Sequence, residues 1–268
     1  MNIVDGRALA LQIKNEIAHA VAGLPEVPTL AIVACDPNFE TQKYLELKQS
    51  IAKTLGINIV TNILPLEATT EDVIEKVVAV ASVYSGLIVQ LPLPSHIDTS
   101  QVLASIPKNK DVDACSYQGE ATDILPPVVG AIAYISKQYK LDWRDKSVVI
   151  FGSGRLVGTP TLLYAKNMGA RVEVINAKTE TDDISHLTKL ADIIVLGVGQ
   201  QNLLMSAMVK NGVVVFDAGA SEDGGVLVGD AHKDVANKAS LFTPVPGGIG
   251  PLTIAILFSN LLKLLIRQ

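Results

Sequence analysis

The stretch Val148-Val149-Ile150-Phe151-Gly152-Ser153-Gly154-Arg155-Leu156-Val157-Gly158 decides the fold class. The apolar run reads as a buried strand, the glycines as a GxGxxxG turn, and Leu156 to Met168 as a helix. Gly152 permits a tight turn and Gly154 lets backbone approach a pyrophosphate. A helix start supplies N–H groups and the positive end of the helix dipole. A glycine triplet alone is often only a turn; set between a strand and a helix, it favours nucleotide binding.

Outward from this turn the chain alternates strand and helix periods, the mark of parallel βαβ construction. Arg171 to Ile175, Ile193 to Leu196 and Val213 to Phe216 continue the strands, and Val129 to Tyr139 precedes them as a helix. This series begins after the Asp/Lys-rich turn at 108–113 and the Pro126-Pro127 step. The N-terminal part reads as helix (Arg7 to Ala22), strand (Leu30 to Ala34), helix (Glu40 to Leu55), strand (Ile57 to Leu64), helix (Asp72 to Val83) and strand (Leu87 to Val89). The expected fold is therefore α/β with two domains, each a mainly parallel sheet flanked by helices, the second Rossmann-like.

Composition narrows the function classes. The chain has 268 residues, 49% hydrophobic and 18% charged, enough apolar surface to offset chain entropy and exclude disorder. A net charge of −5 offers no electrostatic footing for a nucleic-acid partner. Cys35 and Cys115 form no CxxC pair, which suits a reducing compartment, and His19, His96, His186 and His232 lack metal-ligand spacing; no metal is expected. Ile249 to Ile266 is very apolar, but Ser259, Asn260 and Lys263 interrupt it, so a buried or dimer-facing terminal helix is expected rather than a membrane span. Asp5 and Arg7 interrupt any signal-peptide pattern, and a soluble, cytoplasmic protein is expected.

Three further features bear on chemistry. After the strand at 171–175 comes Asn176-Ala177-Lys178, without the carboxylate that often holds the ribose 2′-hydroxyl of NAD. Lys178 is then either a partner for a 2′-phosphate or a solvated loop lysine. Tyr44 and Lys48 lie i, i+4 on one helix face, and Gln90 ends a buried strand, where ligands bind in parallel sheets; Asp111 and Asp113 follow on a polar loop. A desolvated lysine can work as an acid or base, although spacing alone favours an ordinary surface helix. Thr243-Pro244-Val245-Pro246-Gly247-Gly248-Ile249-Gly250-Pro251-Leu252-Thr253 packs prolines and glycines more densely than a helix start requires, which favours a ligand-contacting loop.

Together these motifs resemble the bifunctional methylenetetrahydrofolate dehydrogenase/methenyltetrahydrofolate cyclohydrolase family, nearly end to end from Asp5-Gly6. The Tyr-x-x-x-Lys motif falls on Tyr44 and Lys48, behind Thr41 where the family usually has Ser. Val-Gln-Leu-Pro-Leu-Pro falls on Val89 to Pro94, Lys-Asp-Val-Asp on Lys110 to Asp113, and the proline-glycine signature on Thr243 to Thr253, with Ile249 and Leu252 as conservative changes.

The resemblance implies a folate/catalytic domain (1–120 plus 250–268), a dinucleotide-binding domain (121–249), a cleft between them and a homodimer. It implies oxidation of 5,10-methylenetetrahydrofolate with NADP, NAD being possible, then hydrolysis to 10-formyltetrahydrofolate. Lys48 is the implied central acid/base, Tyr44 stacks on the folate, Gln90 supports Lys48 and Asp113 holds the pterin. Val89, Leu91, Pro244, Gly247, Gly248 and Thr253 complete the implied substrate set. Gly152, Ser153, Gly154, Arg155, Val157, Gly158, Ala177, Lys178 and Ala220 form the implied cofactor set.

The departures from the family pattern gather on the nucleotide side. Gly152-Ser153-Gly154 stands for the usual Gly-Arg-Ser, Asn176-Ala177 for His-Ser, and Leu125-Pro126-Pro127-Val128 for Pro-Cys-Thr-Pro. Asp217-Ala218-Gly219-Ala220 stands for Asp-Val-Gly-Ile, and Ala114 follows Asp113 in place of Gly. Losing an Arg and a Ser from a phosphate site removes about 2–4 kcal/mol of hydrogen bonding. Lys178 or Arg155 then compensates, or the preference moves to NAD, or only the cyclohydrolase or a non-catalytic binding role survives.

Overall fold

The structure, a computed structural model, describes residues 2–122 and 124–267. In chain order its first elements are β1 (Asn2–Ile3), α1 (Gly6–Ala22), β2 (Thr29–Cys35), α2 (Phe39–Leu55), β3 (Asn58–Leu64), α3 (Thr70–Val83), β4 (Gly86–Val89) and α4 (Thr99–Ala104). There follow α5 (Pro127–Gln138), β5 (Ser147–Phe151), α6 (Gly158–Asn167), β6 (Arg171–Ile175), α7 (Thr181–Leu190), β7 (Ile193–Leu196), β8 (Val214–Asp217), β9 (Ser221–Asp223), β10 (Val226–Val228), β11 (Leu241–Phe242) and α8 (Ile249–Ile266). The chain divides into two compact units, the residues up to Ala10 with Tyr117–Thr253, and Leu11–Ser116 with the residues from Ile254 on.

The unit built on Leu11–Ser116 holds a three-stranded parallel sheet in the order β3-β2-β4. Central β2, Thr-Leu-Ala-Ile-Val-Ala-Cys, is buried on both faces, as an unbroken apolar run in a covered parallel sheet should be. Helix α2 starts at Asn38, whose side chain accepts from Thr41 N, and stops at Gly56, in the left-handed region at φ 71°. Helix α3 opens with a capping box between Thr69 and Asp72. Its Val73, Val77, Val80 and Ala81 close one side of a core that includes Ala31, Val33, Leu87 and Val89. Gly86 admits no side chain: a Cβ there would lie 2.5 Å from Leu261 and 2.6 Å from Val112.

The other unit holds a six-stranded parallel sheet, β1-β11-β8-β7-β5-β6, and a small antiparallel hairpin, β9-β10. Strand β5 lies between β6 and β7, so the chain passes to one side of β5 and then back to the other. That reversal is where α/β sheets of this kind bind ligands, beyond the carboxyl ends of the strands. Val149, Phe151, Ile194, Leu196, Val215 and Phe242 form the core on one face. On the other, the fully buried Trp143 stacks on Phe216, donates its indole N–H to Ser136 Oγ at 3.0 Å and meets Tyr164 edge-on.

One expected boundary needs correction. The helix expected from Leu156 begins at Gly158, because residues 152–157 are used in the turn. Strand β1 pairs with β11 (Asn2 with Leu241, Ile3 with Phe242), which groups residues 2–10 with the six-stranded sheet. The compact units meet along the chain at 116/117 and 253/254. The expected ends, Met1 and Gln268, lie outside the described residues. Helix α8 has the length and composition of a membrane span, yet Leu252, Ala255, Phe258, Asn260 and Leu261 are fully buried within the chain.

Candidate active site

In the three-stranded unit, Lys48 and Gln90 are brought together from positions far apart in sequence. Lys48 is on α2 and only 3% exposed; its Nζ donates to Gln90 Oε1 at 2.8 Å. Gln90 directly follows β4, and its Nε2 donates to Leu91 O at 2.7 Å. With its NH₂ engaged there, the amide has its acceptor facing Lys48. Tyr44, one turn earlier on α2 and half-exposed, sets its ring 4.8 Å from Lys48 Nζ. The surface-helix reading of this pair therefore fails for Lys48, which is buried, and holds in part for Tyr44.

Burial pushes the Lys48 pKa down and the Asp113 carboxylate partly restores it. Asp113 in turn is pushed up to about 6 by burial, drawn down by Lys48 and raised further by Asp111. Desolvation disfavours either charge, and each group favours the charged form of the other. The result is an amine held below its ordinary pKa beside a carboxyl held above its own.

Asp113 sits on a loop held from several sides. Leu87 N donates to Lys110 O at 2.8 Å, Val112 N to Leu87 O at 3.3 Å, and Ser116 N to Asp111 Oδ2 at 3.0 Å. Ala114 adopts φ 51°, a conformation easiest for glycine, so the side chain costs some strain there. The fourth tie went unseen in the sequence: Asn260 of α8, fully buried, donates its Nδ2 to Val112 O at 3.0 Å. Its signal was present, since a lone Asn in an apolar helix must find a partner if buried. Val89 is buried at the end of β4 and Leu91 half-buried beyond it.

In the six-stranded unit the turn after β5 has the form of a phosphate cradle. Gly152 has φ 83°, and a Cβ on Gly158 would lie 2.1 Å from Gly152 O, so both glycines are required by the backbone path. Gly154 faces open space, and Ser153, Gly154 and Arg155 are solvent-exposed. Val157 caps α6 without a side-chain hydrogen bond and packs against Gly197, where a Cβ would meet Val157 Cγ1 at 2.5 Å. Open backbone at a helix N-terminus, with no side chain in the way, fits a dinucleotide pyrophosphate. Asn176, Ala177 and Lys178 form an exposed turn beside it, closed by Lys178 N donating to Asn176 Oδ1 at 2.9 Å.

The loop from Thr243 lies in the same unit and is tightly made. Gly248 N donates to Pro244 O at 2.7 Å, and Thr253 Oγ1 to Gly250 O at 2.8 Å. Gly6 N donates to Gly247 O at 2.9 Å, and a Cβ on Gly6 would fall within 1.7 Å of Gly248 O. This contact accounts for Gly6 and the glycine pair together, while Asp5 Oδ1 accepts from Ala8 N at 2.9 Å. Ala220 is exposed, its carbonyl 3.4 Å from where a Gly199 Cβ would stand.

Residues 4–113 match the tetrahydrofolate dehydrogenase/cyclohydrolase catalytic domain, and residues 126–268 the NAD(P)-binding domain of the same family. Bifunctional protein FolD of Campylobacter hominis is 35% identical over 98% of this chain and 96% of its own length. The FolD of Wolinella succinogenes is 36% identical over the same shares. Among solved structures, the bifunctional FolD methylenetetrahydrofolate dehydrogenase/cyclohydrolase of Campylobacter jejuni superposes with a TM-score of 0.94 at 34% identity, covering 100% of this chain and 99% of that one. The Trypanosoma brucei FolD, complexed with NADP cofactor and inhibitor, gives 0.90 at 30% identity, covering 99% and 97%. The chain thus belongs to the tetrahydrofolate dehydrogenase/cyclohydrolase family.

Proposed function

We propose that the protein oxidises 5,10-methylenetetrahydrofolate to the methenyl form and hydrolyses that product to 10-formyltetrahydrofolate. The observation that carries this reading is the buried Lys48 amine, 2.8 Å from Gln90 Oε1, under the Tyr44 ring and electrostatically coupled to Asp113. The methenyl carbon is an amidinium carbon and already electrophilic. Neutral Lys48 takes a proton as water adds to that carbon, giving a hydroxyl adduct; that proton then moves to N5 as the C–N5 bond breaks, and the adduct hydroxyl releases its own proton to solvent as the formyl C=O forms on N10. A cationic substrate beside Lys48 lowers its pKa further and favours the neutral amine. Gln90 aims the amine, Tyr44 offers a face for the pterin, and Asp113 holds the pterin by hydrogen bonding. Val89, Leu91, Pro244, Gly247, Gly248 and Thr253 keep the substrate-binding roles that family membership suggests.

NADP, when bound, accepts the hydride released from the methylene bridge. Gly152, Gly154 and Gly158 leave the backbone open for its pyrophosphate, and Ser153, Arg155, Val157, Ala177, Lys178 and Ala220 line the same end of the sheet. Arg155 or Lys178 supplies the cation for the 2′-phosphate that an arginine at position 153 would give elsewhere in the family. In this reading the enzyme works in the cytoplasm as a homodimer and feeds purine biosynthesis. Cys35 and Cys115, which form no disulfide, fit a reducing compartment, and β3, an edge strand with Ile63 exposed, offers a surface for a second copy.

The test is turnover of 5,10-methylenetetrahydrofolate with NADP and NAD in parallel, followed by absorbance of the reduced nucleotide. Faster turnover with NADP is expected. Preference for NAD would overturn the role given to Arg155 and Lys178. Silence with both, from folded protein, would leave the hydrolytic half alone.

A further inference from the structure

Two aspartates outside the sites described so far are buried among the strand ends of the six-stranded unit. Asp230 is 0% exposed and Asp217 1%. The Asp230 carboxylate accepts three consecutive backbone N–H groups of the loop after β7: Val198 N at 2.7 Å and Gly199 N at 3.2 Å on Oδ2, and Gln200 N at 2.7 Å on Oδ1. Asp217 holds Asp230 in turn. Its Oδ1 accepts from Gly219 N at 2.9 Å and Asp230 N at 3.2 Å, and its Oδ2 from Ala231 N at 2.8 Å. Asp217 N donates to Thr243 Oγ1 at 2.7 Å, which brings in the strand end after β11. Two glycines exist to let these carboxylates in. A Cβ on Gly219 would lie 2.1 Å from Asp230 Cγ, and one on Gly229 2.2 Å from Asp217 Oδ2.

The loop so held is a wall of the strand reversal at β5. Val198 stands 3.3 Å from where a Gly152 Cβ would be, against the first glycine of the phosphate turn, and Gly199 lies by the Ala220 carbonyl. Val198, Gly199 and Gln200 are themselves solvent-exposed. An exposed segment with three N–H groups tied inward to one buried carboxylate is held rigid by that carboxylate, since little else packs on it.

We propose that Asp230 is a positioning residue for dinucleotide binding: through the N–H groups of Val198, Gly199 and Gln200 it fixes the loop against which the nicotinamide half of the dinucleotide docks. This rests on the reading of the unit as a dinucleotide site. Asp230→Asn tests it sharply, because an amide in either orientation turns its NH₂ toward at least one of the three N–H donors. The experiment is calorimetric titration of the full-length protein with NADP, alongside thermal unfolding and hydrogen exchange over 197–201. Asp230→Asn should raise the dissociation constant at least tenfold and speed exchange in that segment. Asp192→Asn, which breaks the Lys210 ion pair on the same sheet, should leave it within twofold. A folded Asp230→Asn protein with wild-type NADP affinity overturns the proposal and assigns the carboxylate to stability alone. Should that variant fail to fold, Gly199→Ala decides, since it strains the loop at φ 77° and leaves both aspartates in place. A tenfold loss supports the proposal and unchanged affinity overturns it. A flat titration for the wild type is a separate outcome: it removes the dinucleotide reading itself, and the proposal with it.

Discussion

Replacing Lys48 by arginine and by methionine separates the basicity of the amine from its charge. The amine is 3% exposed and makes its hydrogen bond to Gln90 Oε1 at 2.8 Å. Methionine keeps most of the side-chain volume and removes the nitrogen, which leaves Gln90 Oε1 without a donor at a cost of about 1–3 kcal/mol. It also frees the fold from desolvating an amine, so unfolding stability should change by no more than about 2 kcal/mol. A positioned general base contributes roughly a hundred- to ten-thousandfold, or about 3–5 kcal/mol of barrier, and methionine forfeits it. Arginine retains the charge and the donors, but a guanidinium cannot deprotonate at any working pH. Loss of methenyltetrahydrofolate absorbance, measured beside thermal unfolding, should show both variants folded and both slowed at least a hundredfold. An arginine variant that folds and hydrolyses within tenfold of the wild type would refute the base assignment and show that only the positive charge matters.

Asp113→Asn removes the carboxylate that holds the Lys48 pKa up, so the acid limb of the hydrolysis pH profile, set by deprotonation of the Lys48 base, should move to lower pH; an upward shift contradicts the coupling. The same variant has a stability signature. Asp113 favours its protonated form in the fold, a contribution fully present below about pH 4 and lost as pH rises through about 6. From 3.8 to about 6, at 1.36 kcal/mol per unit, the wild type carries up to about 3 kcal/mol of penalty at pH 8, so the variant should be the more stable there by urea unfolding. Asn260→Leu strands Val112 O and should cost about 1–3 kcal/mol by the same measurement, with a raised KM for folate because the Asp113 loop loosens. Ser153→Arg restores a cation beside the phosphate turn and should tighten NADP more than NAD in parallel titrations; equal tightening would place the 2′-phosphate elsewhere.

What could be read from residues alone follows from how far each signal reaches along the chain. Val148–Phe151, with glycines behind it, announces strand and turn locally, and β5 runs Ser147–Phe151. Strands β1 and β11 have two residues each, too few for any period, and exist because they pair across the full length of the chain. Helix α7 has Ile184, Leu187 and Leu190 as its only apolar residues, a stripe too short to stand out among its polar neighbours, although Ile184 and Leu187 pack on the core. At the site, Tyr44 and Lys48 were legible as one helix face, whereas the burial of Lys48 depends on Gln90, which is 42 positions away. Asn260 read as an interruption of an apolar helix, and nothing in the residues around Asp230 marked it out. Both are anchors whose meaning lies in backbone groups they reach through space.

The 148-residue separation of Asn260 from Val112 has a consequence for biosynthesis. As the polypeptide leaves the ribosome, β2, β3 and β4 are available early, and Lys48 and Gln90 with them. The loop bearing Asp113 still lacks its last tie, and Gly86 lacks the cover of Leu261, until the final helix emerges. The six-stranded sheet also waits, because its edge strand β1, made first, pairs with β11, made nearly last. Nascent chains ending before α8 should therefore hold the reactive amine in an unfinished setting, and catalytic competence should arrive only once α8 has been made.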